Sequence, residues 1–111
     1  MIQEFLSDDL PLEGSIRDKR STILTNKHQI RRLVVTQISL INTKDRIAAC
    51  NMWKKSNGVY FSKLPINLLL PCSTLVTFDH HITLLPGESL ELEGSPSSII
   101  HYCLEGKEIS A

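Results

Sequence analysis

Apolar and polar positions alternate over most of the chain, and the alternation has a period of two. From residue 20 onward this pattern, with its β-branched content, predicts strands. In Ile30 to Asn42, Val34, Ile38 and Leu40 share one face with Thr36. The other face mixes Arg31, Gln37 and Ser39 with Leu33, Val35 and Ile41. Asn42-Thr43-Lys44-Asp45 reads as a turn, and Ile47 to Trp53 as the next strand. Ser56-Asn57-Gly58 is the strongest hairpin signal, because Asn-Gly accepts the positive φ of a type I′ turn. Val59 to Leu64 is then expected to pair back on Ile47 to Trp53. Pro65 and Pro71 bracket Ile66 to Leu70 as a short edge strand. Thr74 to Asp79 and Ile82 to Leu85 are two further strands. Pro86-Gly87-Glu88 forms a type II turn. In Ser89 to Glu93, Leu90 and Leu92 point inward and Glu91 and Glu93 outward. Ile99 to Leu104 is the last long strand, with Glu105-Gly106-Lys107 turning into a short tail.

Seven or eight strands at this spacing predict an all-β fold, an antiparallel β-sandwich with jelly-roll or immunoglobulin-like connections. The connections are too short for parallel βαβ units. Residues 1–20 differ from the rest. They carry four acids before the first base, with Pro11 and Gly14, and are expected to form an extended N-terminal arm ahead of a domain over 21–111. The arm's apolar residues, Ile2, Phe5, Leu6, Leu10 and Leu12, suit docking on the chain's own domain or on a neighbouring subunit.

Composition narrows the function classes. In 111 residues, twelve Lys+Arg balance twelve Asp+Glu, so the net charge is zero and nucleic acid is not an expected partner. No apolar run approaches the ~20 residues of a membrane helix. The acidic start lacks the features of a secretory signal, so intracellular synthesis is the default expectation. Cys50, Cys72 and Cys103 are odd in number and widely spaced, which suits reduced packing residues rather than a disulfide framework.

Candidate chemistry is sparse. His101 and Cys103 share one face of a strand, and Asp79-His80-His81 could supply a third zinc ligand, but no metal-ligand spacing such as C-x-x-C is present. Metal and cofactor are therefore not expected. No glycine-bounded nucleophile elbow surrounds a serine or cysteine, and the expectation is a non-enzymatic chain. Arg17, Lys19 and Arg20, and then Lys27, His28, Arg31 and Arg32, are basic clusters suited to a solvated face or to an acidic partner surface. Trp53-Lys54-Lys55 suits a strand-end tryptophan packed on lysine stems.

The order of three blocks resembles small tailed-bacteriophage virion proteins with a β-sandwich fold. The blocks are Val35-Thr36-Gln37-Ile38-Ser39-Leu40-Ile41-Asn42, Ile82-Thr83-Leu84-Leu85-Pro86-Gly87-Glu88-Ser89-Leu90-Glu91-Leu92 and Leu104-Glu105-Gly106-Lys107-Glu108-Ile109, so the resemblance covers residues 33–109. The second strand, with Trp53, departs from the small-residue pattern of that family. The resemblance implies a virion structural protein, made in the host cytoplasm, that decorates a capsid or sits in a neck or tail. Its expected partners are copies of itself and other virion proteins, with no membrane. The expected contacts are Ile2, Phe5, Leu6, Leu10 and Leu12 in the arm, the charges of Arg17, Lys19 and Arg20, and the apolar run Leu68, Leu69 and Leu70. The alternative is a small-ligand or carbohydrate-binding module, cupin-like or lectin-like, using the 79–81 histidines and His101. An aromatic content of 5% is low for sugar stacking.

Overall fold

A computed structural model describes residues 4–5 and 9–110 of the chain, with no helix among them. Eleven strands form two antiparallel sheets packed as a sandwich. They are β1 (Glu4–Phe5), β2 (Leu12–Ile16), β3 (Ser21–Thr25), β4 (Arg31–Asn42), β5 (Ala48–Ser56), β6 (Val59–Ser62), β7 (Leu68–Leu70), β8 (Leu75–Phe78), β9 (Ile82–Leu84), β10 (Ser89–Gly94) and β11 (Ile100–Ser110). The first sheet is centred on β11 and β4, with β1 and β2 on the far side of β11 and β8 and β9 on the far side of β4. The second sheet runs β3-β10-β5, and β5 carries both β6 and β7.

The predicted strands recur with small shifts of their ends. Asn57 and Gly58 both have positive φ, 50° and 77°, and turn β5 into β6; Gly87, at 86°, makes the turn before β10. The sandwich interior is built from the inward members of each strand. Leu33, Ile38 and Leu40 of β4, Met52 of β5, Leu90 and Leu92 of β10, and Ile100 and Leu104 of β11 are fully buried. Each such side chain contributes about 1.5–3 kcal/mol relative to exposure.

Two expectations are corrected. The Glu105-Gly106-Lys107 segment is not a turn: β11 continues to Ser110, and a bulge falls here. Glu105 lies opposite Gln37 and Gly106 opposite Val35, so Thr36 is the extra residue on β4. The extra residue reverses the inward parity, from Leu33 and Val35 to Ile38, Leu40 and Asn42. This is why neither face of that strand reads as uniformly apolar. Gly106 is required there, because an added Cβ would overlap the carbonyl oxygen of Val34. The second correction concerns the arm. Residues 12–16 pair with Ile100–Leu104 as β2, so this part of the expected arm is a strand of the sandwich.

Two buried asparagines organise the loops at the ends of β4. Asn26 donates through Nδ2 to the carbonyls of Arg31 and Leu84, and its Oδ1 accepts the His28 amide. Asn42 repeats the device with the carbonyls of Arg46 and Leu70 and the Lys44 amide. Buried amides satisfied in this way hold a loop in one conformation.

Candidate functional site

The two sides of the sandwich end differently. On one side β5, nine residues long, is too long for either of its outer neighbours, so β7 pairs with Ala48–Cys50 and β6 with Trp53–Ser56. The chain steps between them through buried Leu64. Asn51 pins the step, donating to Asn67 Oδ1 at 3.0 Å and accepting the Asn67 amide at 2.8 Å. The first sheet ends on the same side at β8 and β9, against β4. Among the described residues no strand pairs with the outer edge of β6, and all four residues of β6 are exposed.

This side carries an unusual set of side chains. Val59 and Phe61 on β6 are about half exposed, Leu69 of β7 is 64% exposed, Ile66 is 76% and Leu75 of β8 is 59%. On the opposite side the exposed members of β2 and β3 are polar: Glu13, Ser15 and Thr22. Exposed apolar groups on an unpaired strand are what edge strands ordinarily avoid. Val59, Tyr60 and Phe61 were not among the sequence candidates. Their signal was legible nonetheless, since three consecutive large apolar residues in a strand put at least one on each face.

One residue spans the outer face of the second sheet. Arg20, just before β3, donates from Nε to Glu91 Oε1 of β10 at 2.8 Å. Its guanidinium lies 4.0 Å from the ring centroids of both Trp53 on β5 and Tyr60 on β6. Glu91 points outward as predicted, yet is 7% exposed because Arg20 covers it. The Arg20 charge is thus engaged within the chain, whereas Arg17 and Lys19 are exposed. Beneath the same strands Lys54 Nζ meets Glu88 Oε1 at 3.0 Å. Burial pushes the Glu88 carboxyl up. Hydrogen bonds from Ser56, the Leu85 amide and Lys54, with the Lys54 charge, outweigh it and leave it below its ordinary value.

The remaining sequence candidates are scattered. Ile2 and Leu6 lie outside the described residues, and Phe5 is placed only as a backbone member of β1. Leu10 is 3% exposed in the chain's own core and Leu12 packs against it, so these two arm residues dock on their own domain. Of the leucine run, Leu70 is buried, Leu68 half-buried against the core and Leu69 exposed. The considered zinc set does not assemble. His101 lies opposite Ile41, whereas Asp79 is bonded to Gln37, four residues along β4 and so about 13 Å away. The three cysteines are free. Burial pushes the Cys50 thiol up to about 11. Cys103 is raised by burial and by the neighbouring carboxylates of Glu13 and Glu105, which disfavours a nucleophilic thiolate.

A concavity of about 510 Å³ opens on the outer face of β2, β11, β4 and β8, lined by Ser15, Ser39, Ile41, Leu75, His101 and Cys103 among others. In it Ser15 Oγ meets His101 Nδ1 at 2.7 Å. The other ring nitrogen faces the same hydroxyl at 3.5 Å, and among the described residues no carboxylate bonds the ring to orient it as a base.

Comparison of the chain with protein-family models, with curated proteins and with solved structures finds no match.

Proposed function

We propose that the chain is a non-enzymatic assembly module whose open edge pairs with a second copy of itself. The observation that carries this is the outer edge of β6, which no strand among the described residues pairs, with Val59 and Phe61 about half exposed along it. Two β6 strands meeting antiparallel about a two-fold axis would continue the sheet and cover the same patch on both copies. The balanced charge of the chain lets copies meet without net repulsion. The resemblance to bacteriophage virion sandwiches supplies the setting: repeated copies on a capsid, neck or tail. Arg17 and Lys19, both exposed, would meet a further acidic partner.

Light scattering on the purified chain tests this. A discrete oligomer that becomes monomeric in Phe61→Lys, with the β spectrum intact, is the expected result. A monomer at every concentration, or an oligomer indifferent to Phe61→Lys, overturns it. The second reading, a small-ligand module, has the His101 concavity as its support and predicts saturable ligand binding lost in His101→Ala.

A further inference from the structure

The N-terminal segment, the loop after β3 and the last strand bring three metal-ligating side chains together at one end of the sandwich. Asp9 Oδ2 lies 2.9 Å from His28 Nε2, and Glu108 Oε1 contacts the same nitrogen. One ligand atom from each residue falls within 4.8 Å of the other two. From these residues we propose a divalent transition-metal site, of the kind zinc occupies, on Asp9, His28 and Glu108.

Glu108 is the residue that most needs a cation. It faces inward on β11 opposite Leu33 and is 1% exposed. A carboxylate so buried needs a cation or hydrogen-bond donors. Arg31 Nη1 lies 3.7 Å from its Oε2, and its buried Oε1, turned into the cluster against His28 Nε2, accepts no hydrogen bond. His28 cannot serve both acids, because Nε2 carries at most one proton while two carboxylate oxygens converge on it. With Nε2 unprotonated, three lone-pair donors lie within 4.8 Å of one another, a spacing that one metal ion can bridge. Tetrahedral zinc with ligand distances near 2.0–2.1 Å places its ligands roughly 3.4 Å apart, within the span these atoms already occupy. One imidazole and two carboxylates form a borderline-hard set suited to zinc and its first-row neighbours, and three protein ligands leave a position for water.

The surroundings hold the ligands in place. Buried Asn26 accepts the His28 amide and ties its loop to the carbonyls of Arg31 and Leu84, so the imidazole is presented by a rigid loop. Asp9 comes from the segment ahead of β2 and Glu108 from the far end of the chain. A bound ion would therefore staple the N-terminal segment to β11 and add to folding stability by mass action.

The test is titration of zinc into the full chain after EDTA stripping, by calorimetry and by the thermal midpoint. One zinc per chain with a raised midpoint is expected. His28→Gln and Asp9→Asn should each weaken binding on the order of 100-fold or more. Asp9 is at the surface, so its variant keeps the test valid if Glu108→Gln fails to fold. His81→Ala and His101→Ala should bind as the parent does. No stoichiometric binding, or binding that survives His28→Gln and falls in a control variant, overturns the proposal.

Discussion

Two edges of one sandwich have been treated in opposite ways. At the β2–β3 edge the outward side chains are Glu13, Ser15 and Thr22, while Leu10 and Ile16 turn in and seal the interior. At the β6–β7–β8 edge the interior is sealed by Leu64 and Leu70, and further apolar side chains stay exposed: Val59 and Phe61 on β6, Leu69 on the outer face of the second sheet and Leu75 on the outer face of the first. The first edge is finished as a surface, and the second is the one proposed to pair with another copy. Burial on one side of a strand stabilises the chain alone, whereas apolar groups on its other side gain only when something covers them.

Substitutions at the two edges should separate these roles. Leu10→Ala, at the sealed edge, removes a 3% exposed side chain and is expected to lower stability by about 2–5 kcal/mol, measured as a fall in the urea midpoint. It should leave association of the remaining folded chains unchanged. A loss under 1 kcal/mol would show that Leu10 is not part of the core and would restore it as a candidate contact.

Glu88→Gln probes the layer just inside the open edge, where the carboxylate holds Lys54. An expected cost of about 1–3 kcal/mol near neutral pH follows from losing charge-assisted hydrogen bonds at a buried position. The sign with pH follows from the lowered native value. The contribution is complete above the unfolded-state carboxyl value and is lost as pH falls through the lower native one. Stability curves of parent and variant should converge on acidification, and a constant gap between them would count against the ion pair.

How far this arrangement could be seen in the sequence depended on whether the signal was local. The Asn57-Gly58 and Pro86-Gly87 turns need only a dihedral, and Leu90-Glu91-Leu92 needs only a regular pleat, so each could be read from a few residues. Gly106 could not, because a glycine between charged residues resembles a turn until its close approach to the Val34 carbonyl is known. Gly14 misled in the same way. It is small because the Tyr102 ring lies over it in the sheet, and beside Pro11 it read as the mark of an arm. The open edge was legible in part: Leu69 stood in the leucine run and Val59-Tyr60-Phe61 put a large apolar residue on each face of a strand, but neither run showed which edge stays without a neighbour. The Asp9, His28 and Glu108 cluster was not legible, since its members come from three distant segments and His28 stood among arginines and lysines.

Arg20→Lys tests the link between the two edges, because the guanidinium runs from β3 over Glu91 to Trp53 and Tyr60. Lysine keeps the charge but loses the planar stacking and the Nε donor. The expected loss is about 1 kcal/mol, with a change in Trp53 fluorescence as its ring face is uncovered. An unchanged emission spectrum would show that the cation does not rest on the indole.

The smallest effect on the single chain separates the edges most cleanly. Thr22→Lys on β3 and Leu69→Lys on β7 each place one lysine at an exposed strand position. Neither removes a buried group, so the monomer's stability should change by no more than about 0.5 kcal/mol in either case. Lysine at a strand edge nevertheless blocks pairing with another chain. If the open edge is an interface, Leu69→Lys alone shifts the mass seen by light scattering, because its apolar contact and its charge tolerance are decided only in the assembly. Equal shifts from both variants would mean that association uses no particular edge. A shift from Thr22→Lys alone would move the interface to the polar side and leave the exposed leucine without a role.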